Sequence, residues 1–170
     1  MHPDPAETLV RCELGLCLGE TRVDVAAVNG IISGWEIKSP QDSLDRLPRQ
    51  VLIYSRVLDH AMVVTAGKHA RKVTGLVPEW WGLFLVDRAP SGEPRLSYER
   101  PSQQNECVDA FAVAQLLWRD EAYDTLRRRG LHAGLARATR WRLWQVLAEE
   151  LSLSDLKGEV RHRLKARQAW

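Results

Sequence analysis

The amino-acid sequence predicts an α/β core followed by a helical C-terminal extension, packed together as one domain. Three observations carry this. Up to residue 104, runs with strand texture alternate with helical segments; from 105 onward, apolar residues recur at helical spacing, as at Leu143, Val146, Leu147 and Leu151. The 170 residues also fall in the size range of a single core. The division expected is a core over residues 1–104 and a basic extension over 105–170.

Taken in order, residues 6–18 read as a short helix that runs out near Gly15 or Gly19. Two β-rich runs follow, 21–28 and 31–38, joined by Asn29-Gly30, a strong hairpin signal. Residues 39–47 are turn-like, and Pro48 suits the first turn of a helix reaching about Leu58. The apolar run 61–66 is of strand length, 68–76 reads as a helix and 81–87 as another strand. Residues 89–101 are rich in Pro, Gly and Ser and read as a loop with a short strand at 95–99. Helices are expected over 106–129 and 139–167. Glu106 and Asp109, at the start of the first of these, complement its positive end.

The composition, 45% hydrophobic and 27% charged, excludes a predominantly disordered chain. No apolar run is long enough to span a bilayer, and the start of the chain, with Pro3, Asp4 and Pro5, does not read as a secretory signal. A cytoplasmic protein without membrane contact is expected. Cys12, Cys17 and Cys107 match neither a disulfide framework nor a zinc-ligand spacing. The seven tryptophans read as core anchors, with Trp80, Trp81, Trp141 and Trp144 in apolar surroundings. Charge is unevenly spread: residues 1–117 carry 12 basic and 15 acidic side chains, residues 118–170 carry 12 and 7.

The chemistry concentrates in the hairpin. Asp24 lies on its first strand, and Glu36, Ile37 and Lys38 close its second. With a two-residue turn, Asp24 falls opposite Trp35 and the charged groups are dispersed on both faces. With one residue more in the turn, or a bulge, Val28 pairs with Ile32 and Asp24 faces Glu36. The second register is preferred because it sorts Asp24, Glu36 and Lys38 from the apolar Val23, Val25, Trp35 and Ile37. Two adjacent carboxylates repel each other and suit an oxygen-preferring divalent cation, Mg²⁺ or Mn²⁺, with the backbone carbonyl of Ile37 as a further ligand. Lys38 then orients water and offsets charge developing on a phosphate.

This arrangement resembles the PD-(D/E)XK nuclease superfamily. Gln50 and Tyr54, four apart on the following helix, look like the Gln-x-x-x-Tyr element of its RecB-like branch, and the resemblance covers about residues 6–87. It implies a restriction-endonuclease-like core and a metal-dependent nuclease acting on DNA rather than RNA. It also implies supporting roles for Gln50, Tyr54 and an acid on the first helix, Glu13 ahead of Glu7. Arg127, Arg128, Arg129, Arg140 and Arg142 are the expected phosphate contacts. The competing expectations are an inactive nucleic-acid or protein binding module, and a subunit of a larger DNA-processing or defence complex. A homodimer is a further expectation, since two sites cut a duplex most simply.

Overall fold

The computed structural model describes residues 8–168. It contains a six-stranded mixed sheet and six α-helices, and the strands lie in chain order, β1 to β6. Strands β1 (Leu9–Leu16), β2 (Thr21–Val28) and β3 (Ile32–Lys38) form an antiparallel meander. Helix α1 (Leu47–Tyr54) then crosses to β4 (His60–Ala66), and α2 (Ala70–Leu76) to β5 (Gly82–Arg88), so that β3, β4 and β5 run parallel. Strand β6 (Pro94–Arg100) returns antiparallel to β5. Helix α1 lies over Glu36 and Lys38 and α2 beside Leu83 and Leu85, which share one face of the sheet, as crossovers of one hand require.

Four helices follow: α3 (Ala110–Ala114), α4 (Arg119–Arg128), α5 (Arg140–Glu150) and α6 (Leu153–Ala166). The helical run expected over 139–167 is interrupted at Leu151, which is extended, and Ser152 caps α6 through the Asp155 amide. Asp109 caps α3 through the amides of Phe111 and Ala112, and pairs with Arg56 at 2.8 Å. The bundle shares one apolar core with the sheet. Buried polar groups fasten the two together: Asn105 donates to the carbonyls of Ser55 and Leu58, and Asp59 accepts from the Ile32 amide and the Lys157 ammonium.

Two expectations are corrected here. The first concerns residues 9–16, which form strand β1 and not a helix. Leu14 and Leu16 are buried two apart while Glu13 and Gly15 are exposed, the period of a strand, and β2 supplies the ladder that a lone amphipathic segment lacks. Glu7 lies outside the described residues. The second concerns the tryptophans: Trp81 and Trp144 are fully buried, whereas Trp141 is 50% exposed and rests on Phe111.

Gly34 is required by packing. A Cβ there would stand 2.6 Å from Leu58 Cδ1 and 2.9 Å from Val23 Cγ1, so its absence lets the turn after α1 close onto β3.

Candidate functional site at the carboxyl end of β3

The hairpin adopts the register with the longer turn. Val28 pairs with Ile32 and Val25 with Trp35, the last pair of the ladder, and beyond it the Asp24 side chain meets the Ile37 amide. Asn29 to Ile31 make the connection, closed by the Asn29 amide on the Ile31 carbonyl and the Asn29 side chain on the Ile31 amide.

The two faces of this hairpin are used in an unexpected way. Glu36 and Lys38 point under α1 and are 2% and 4% exposed, while Ile37 on the opposite face is 49% exposed. Charged groups in so dry a place must be paired and hydrogen-bonded. Lys38 Nζ lies 2.6 Å from Glu36 Oε1 and 3.1 Å from Gln50 Oε1. Gln50 Nε2 donates to the same Glu36 oxygen at 2.6 Å, so one amide side chain orients both ions. The Tyr54 hydroxyl donates to the other oxygen, Oε2. Burial, and then the Glu36 carboxylate, push the Tyr54 phenol far above its ordinary pKa, which keeps it a proton donor. Its ring stacks on Trp81 at 5.6 Å, fixing the hydroxyl from behind.

Asp24 is placed by a break in the meander. The β1–β2 ladder skips Glu13 and Asp24, and Glu13 has a left-handed backbone with φ of 56°. Val23 and Ala26, three residues apart, are both fully buried, so β2 turns over between them. The Asp24 carboxylate accepts from the Ile37 amide at 2.7 Å, taking over a bond that the ladder would otherwise make.

Above these groups lies a pocket of about 600 Å³ whose walls include Asp24, Glu36, Ile37, Lys38 and Gln50. Glu13 also lines it, from a strand instead of the expected helix, 3.8 Å from Arg22. Sequence reasoning missed Glu20, Asp42, Arg46 and Arg49, which complete the walls from three separate segments. It also missed Thr65, which pairs with Lys38 across the β3–β4 ladder and whose buried hydroxyl has no partner among the described residues. Asp42 accepts from the Ser39 amide, which holds its carboxyl below the ordinary value. The pocket opens between the carboxyl end of β3, the start of β2 and the first turn of α1.

No group of three or more His, Cys, Asp or Glu side chains able to hold a metal ion occurs among the described residues. The donors present still suit Mg²⁺ or Mn²⁺, which is ordinarily held by one or two carboxylates plus substrate phosphate. Asp24 is half-buried on the pocket wall, and the three donors on Glu36 use three of its roughly four acceptor positions.

The five arginines expected to bind phosphate line no part of this pocket. Arg127 pairs with Asp124, Arg128 with Asp124 and Glu159, Arg129 with Asp155 and Glu159, and Arg142 with Glu149. Arg140 lies over the Trp144 ring. Four of the five are therefore in ion pairs at the bundle surface, with Arg127 and Arg142 more than half exposed.

Fold and site together define a mixed α/β protein with a buried acid–lysine pair beneath a polar pocket. Residues 3–169 match the family described as bacteriophage P4 protein cII, and the chain belongs to that family. Protein cII of enterobacteria phage P4 is 26% identical over 146 residues, which is 86% of this chain and 54% of that protein. The chain thus spans about half the length of that curated relative. A solved structure of a protein of unknown function from Silicibacter pomeroyi is 18% identical, with a TM-score of 0.43 over 86% of this chain and 85% of that one. The family match overturns the PD-(D/E)XK resemblance. The short motif that carried it joins residue types that recur by chance, and the expected first helix is a strand. No helix among the described residues is long and apolar enough to cross a membrane.

Proposed function

We propose that the pocket hydrolyses phosphodiester bonds in a metal-dependent reaction, with DNA as substrate. The observation that carries this reading is the Glu36–Lys38 ion pair, nearly solvent-free yet forming the floor of a polar pocket beside Asp24. A buried ion pair is weak support for stability and is commonly replaced by apolar residues at no loss, so its place in a cleft points to chemistry.

Asp24 and Glu36 would hold Mg²⁺ or Mn²⁺, with the Ile37 carbonyl as a further donor. When bound, such an ion polarises a phosphoryl oxygen and lowers the pKa of water. Lys38 spends two of its three N–H donors on Glu36 and Gln50, which leaves one to orient the attacking water and offset charge on the phosphate. Gln50 and Tyr54 hold Glu36 in a single orientation. Arg46 at the rim meets the flanking phosphates, while Arg49 beside it pairs with Glu20 at 3.5 Å.

A second reading has its own support: three donors already satisfy Glu36, as in a polar network built for rigidity, which suits a nucleic-acid binding protein that cuts nothing. The two separate on incubation with supercoiled, linear duplex and single-stranded DNA in Mg²⁺, Mn²⁺ or EDTA. The phosphodiesterase cuts only with metal, and Asp24→Asn, which retains an acceptor for the Ile37 amide, lowers the rate about 100-fold or more. No cutting by the folded protein under any condition, with DNA still retarded by it in a gel shift, establishes the second reading.

A further inference from the structure

The sheet has a second face, away from α1 and α2, that is left open beside the site by the described residues. Ile37, Val64, Phe84 and Tyr98 form one row across β3 to β6, each paired with the next in the ladders. Ala66, Val86 and Leu96 form the row beside it. At strand spacing the first row runs about 15 Å. Tyr98 is 57% exposed, Leu96 60% and Ile37 49%, and the Tyr98 and Phe84 rings touch at 4.5 Å. Within this face lies a groove of about 610 Å³, whose wall at Ile37 and Lys38 is shared with the polar pocket. The groove is apolar inside and carries Lys68 and Arg88 at its lip, opposed by one acid, Asp87.

We propose that this face is a platform for single-stranded nucleic acid, with bases lying on the Ile37–Val64–Phe84–Tyr98 row and phosphates held by Lys68 and Arg88. Between the two forms of nucleic acid, an apolar aromatic sheet face suits bases splayed out of a helix, because a duplex presents phosphates and keeps its bases stacked inside. The charge favours an anionic strand over a second copy of the chain. Lys68, Arg71, Lys72 and Arg88 form no ion pair with any described residue, and two such edges brought face to face would repel. Continuity through Lys38 leads the strand from the platform into the polar pocket. That last step rests on the phosphodiesterase reading; single-strand binding does not.

The test is fluorescence anisotropy in EDTA, where nothing is cut, using a labelled oligo-dT of about 12 nucleotides against a duplex of equal length. Tyr98→Ala, Lys68→Glu and Arg88→Glu are compared with Arg142→Glu as a control, each with a thermal melt to establish folding. The expected result is tighter binding of the single strand, weakened about 10-fold by Tyr98→Ala and by each charge reversal, and unchanged in the control. Equal affinity in Tyr98→Ala and wild type, or a preference for duplex, overturns the proposal. So does sedimentation of the wild type as a dimer that Ile37→Ser dissociates. If single strands bind as described and no DNA is cut with metal, only the phosphodiesterase reading fails; if DNA is cut and Tyr98→Ala binds normally, only the platform does.

Discussion

The arginines of α4 and α5 and the cations around α2 have the same texture in sequence, yet the fold employs them in opposite ways. Asp124 alone serves Arg127, Arg128 and Arg163, and Glu159 serves Arg128 and Arg129. Lys68, Arg71 and Lys72 form no ion pair with a described residue, although Asp87 lines the same groove as Lys68. A local excess of positive charge therefore does not locate a polyanion site. Ion pairing by itself does not separate the two regions completely, since Arg137, Arg161 and Lys165 of the bundle, like the cations around α2, form no ion pair with a described residue.

The buried pair beneath the pocket differs again, since it is almost wholly withdrawn from solvent at 2% and 4% exposure. Replacing Lys38 by Met leaves the Glu36 carboxylate without its cation at 2% exposure, and should cost about 3–5 kcal/mol in urea unfolding. Arg142→Ala, which breaks a 3.8 Å pair whose side chains are both more than half exposed, should cost no more than about 1 kcal/mol. Equal losses would erase the distinction between the two regions. Adding Glu36→Gln to Lys38→Met should restore much of the stability if the stranded charge is the cause.

Gly34→Ala tests how tightly the site is held from below. The new methyl meets Leu58 and Val23 inside van der Waals contact, and a loss of about 1–3 kcal/mol is expected from the melting curve. A neutral result would mean that the α1–β4 turn gives way without disturbing Glu36.

The smallest effect concerns pH and the bundle. Hydrogen bonds from Arg127, and next from Arg163, hold the Asp124 carboxyl at about 2, below its ordinary 3.8. The folded state thus binds this proton less readily than the unfolded chain. The stabilisation is complete above the ordinary carboxylate value and fades as pH falls from about 4 toward 2. Asp124→Asn should melt with a shallower pH dependence over that interval, while from pH 5 to 8 the two curves should run parallel. Identical acid sensitivity would show that the arginine network adds nothing to the bundle.

Much of the site was legible because its determinants are local. The side-chain sorting of residues 21–38 selects the register that brings Asp24 and Glu36 together, and a spacing of four puts Gln50 and Tyr54 on one face of α1. Residues 9–16 were misread because Leu9, Val10 and Cys12 blur the alternation that Leu14 and Leu16 keep, and only pairing with β2 resolves it. Glu20, Asp42, Arg46 and Arg49 had no signal at all, since none belongs to a spaced motif and they meet only when the meander and α1 close on each other.

By itself, the sequence determined the α/β class, the helical texture of the last third, the hairpin register and the residues beneath the pocket. Each of these depends on periodicity and turn chemistry among neighbours within a few tens of residues. Tertiary structure alone decided which face of the hairpin is dry, how the β1 segment is paired and which arginines are spent on internal acids. Those depend on partners such as Glu36 with Tyr54, or Arg128 with Glu159, which come together only through the packing of distant elements.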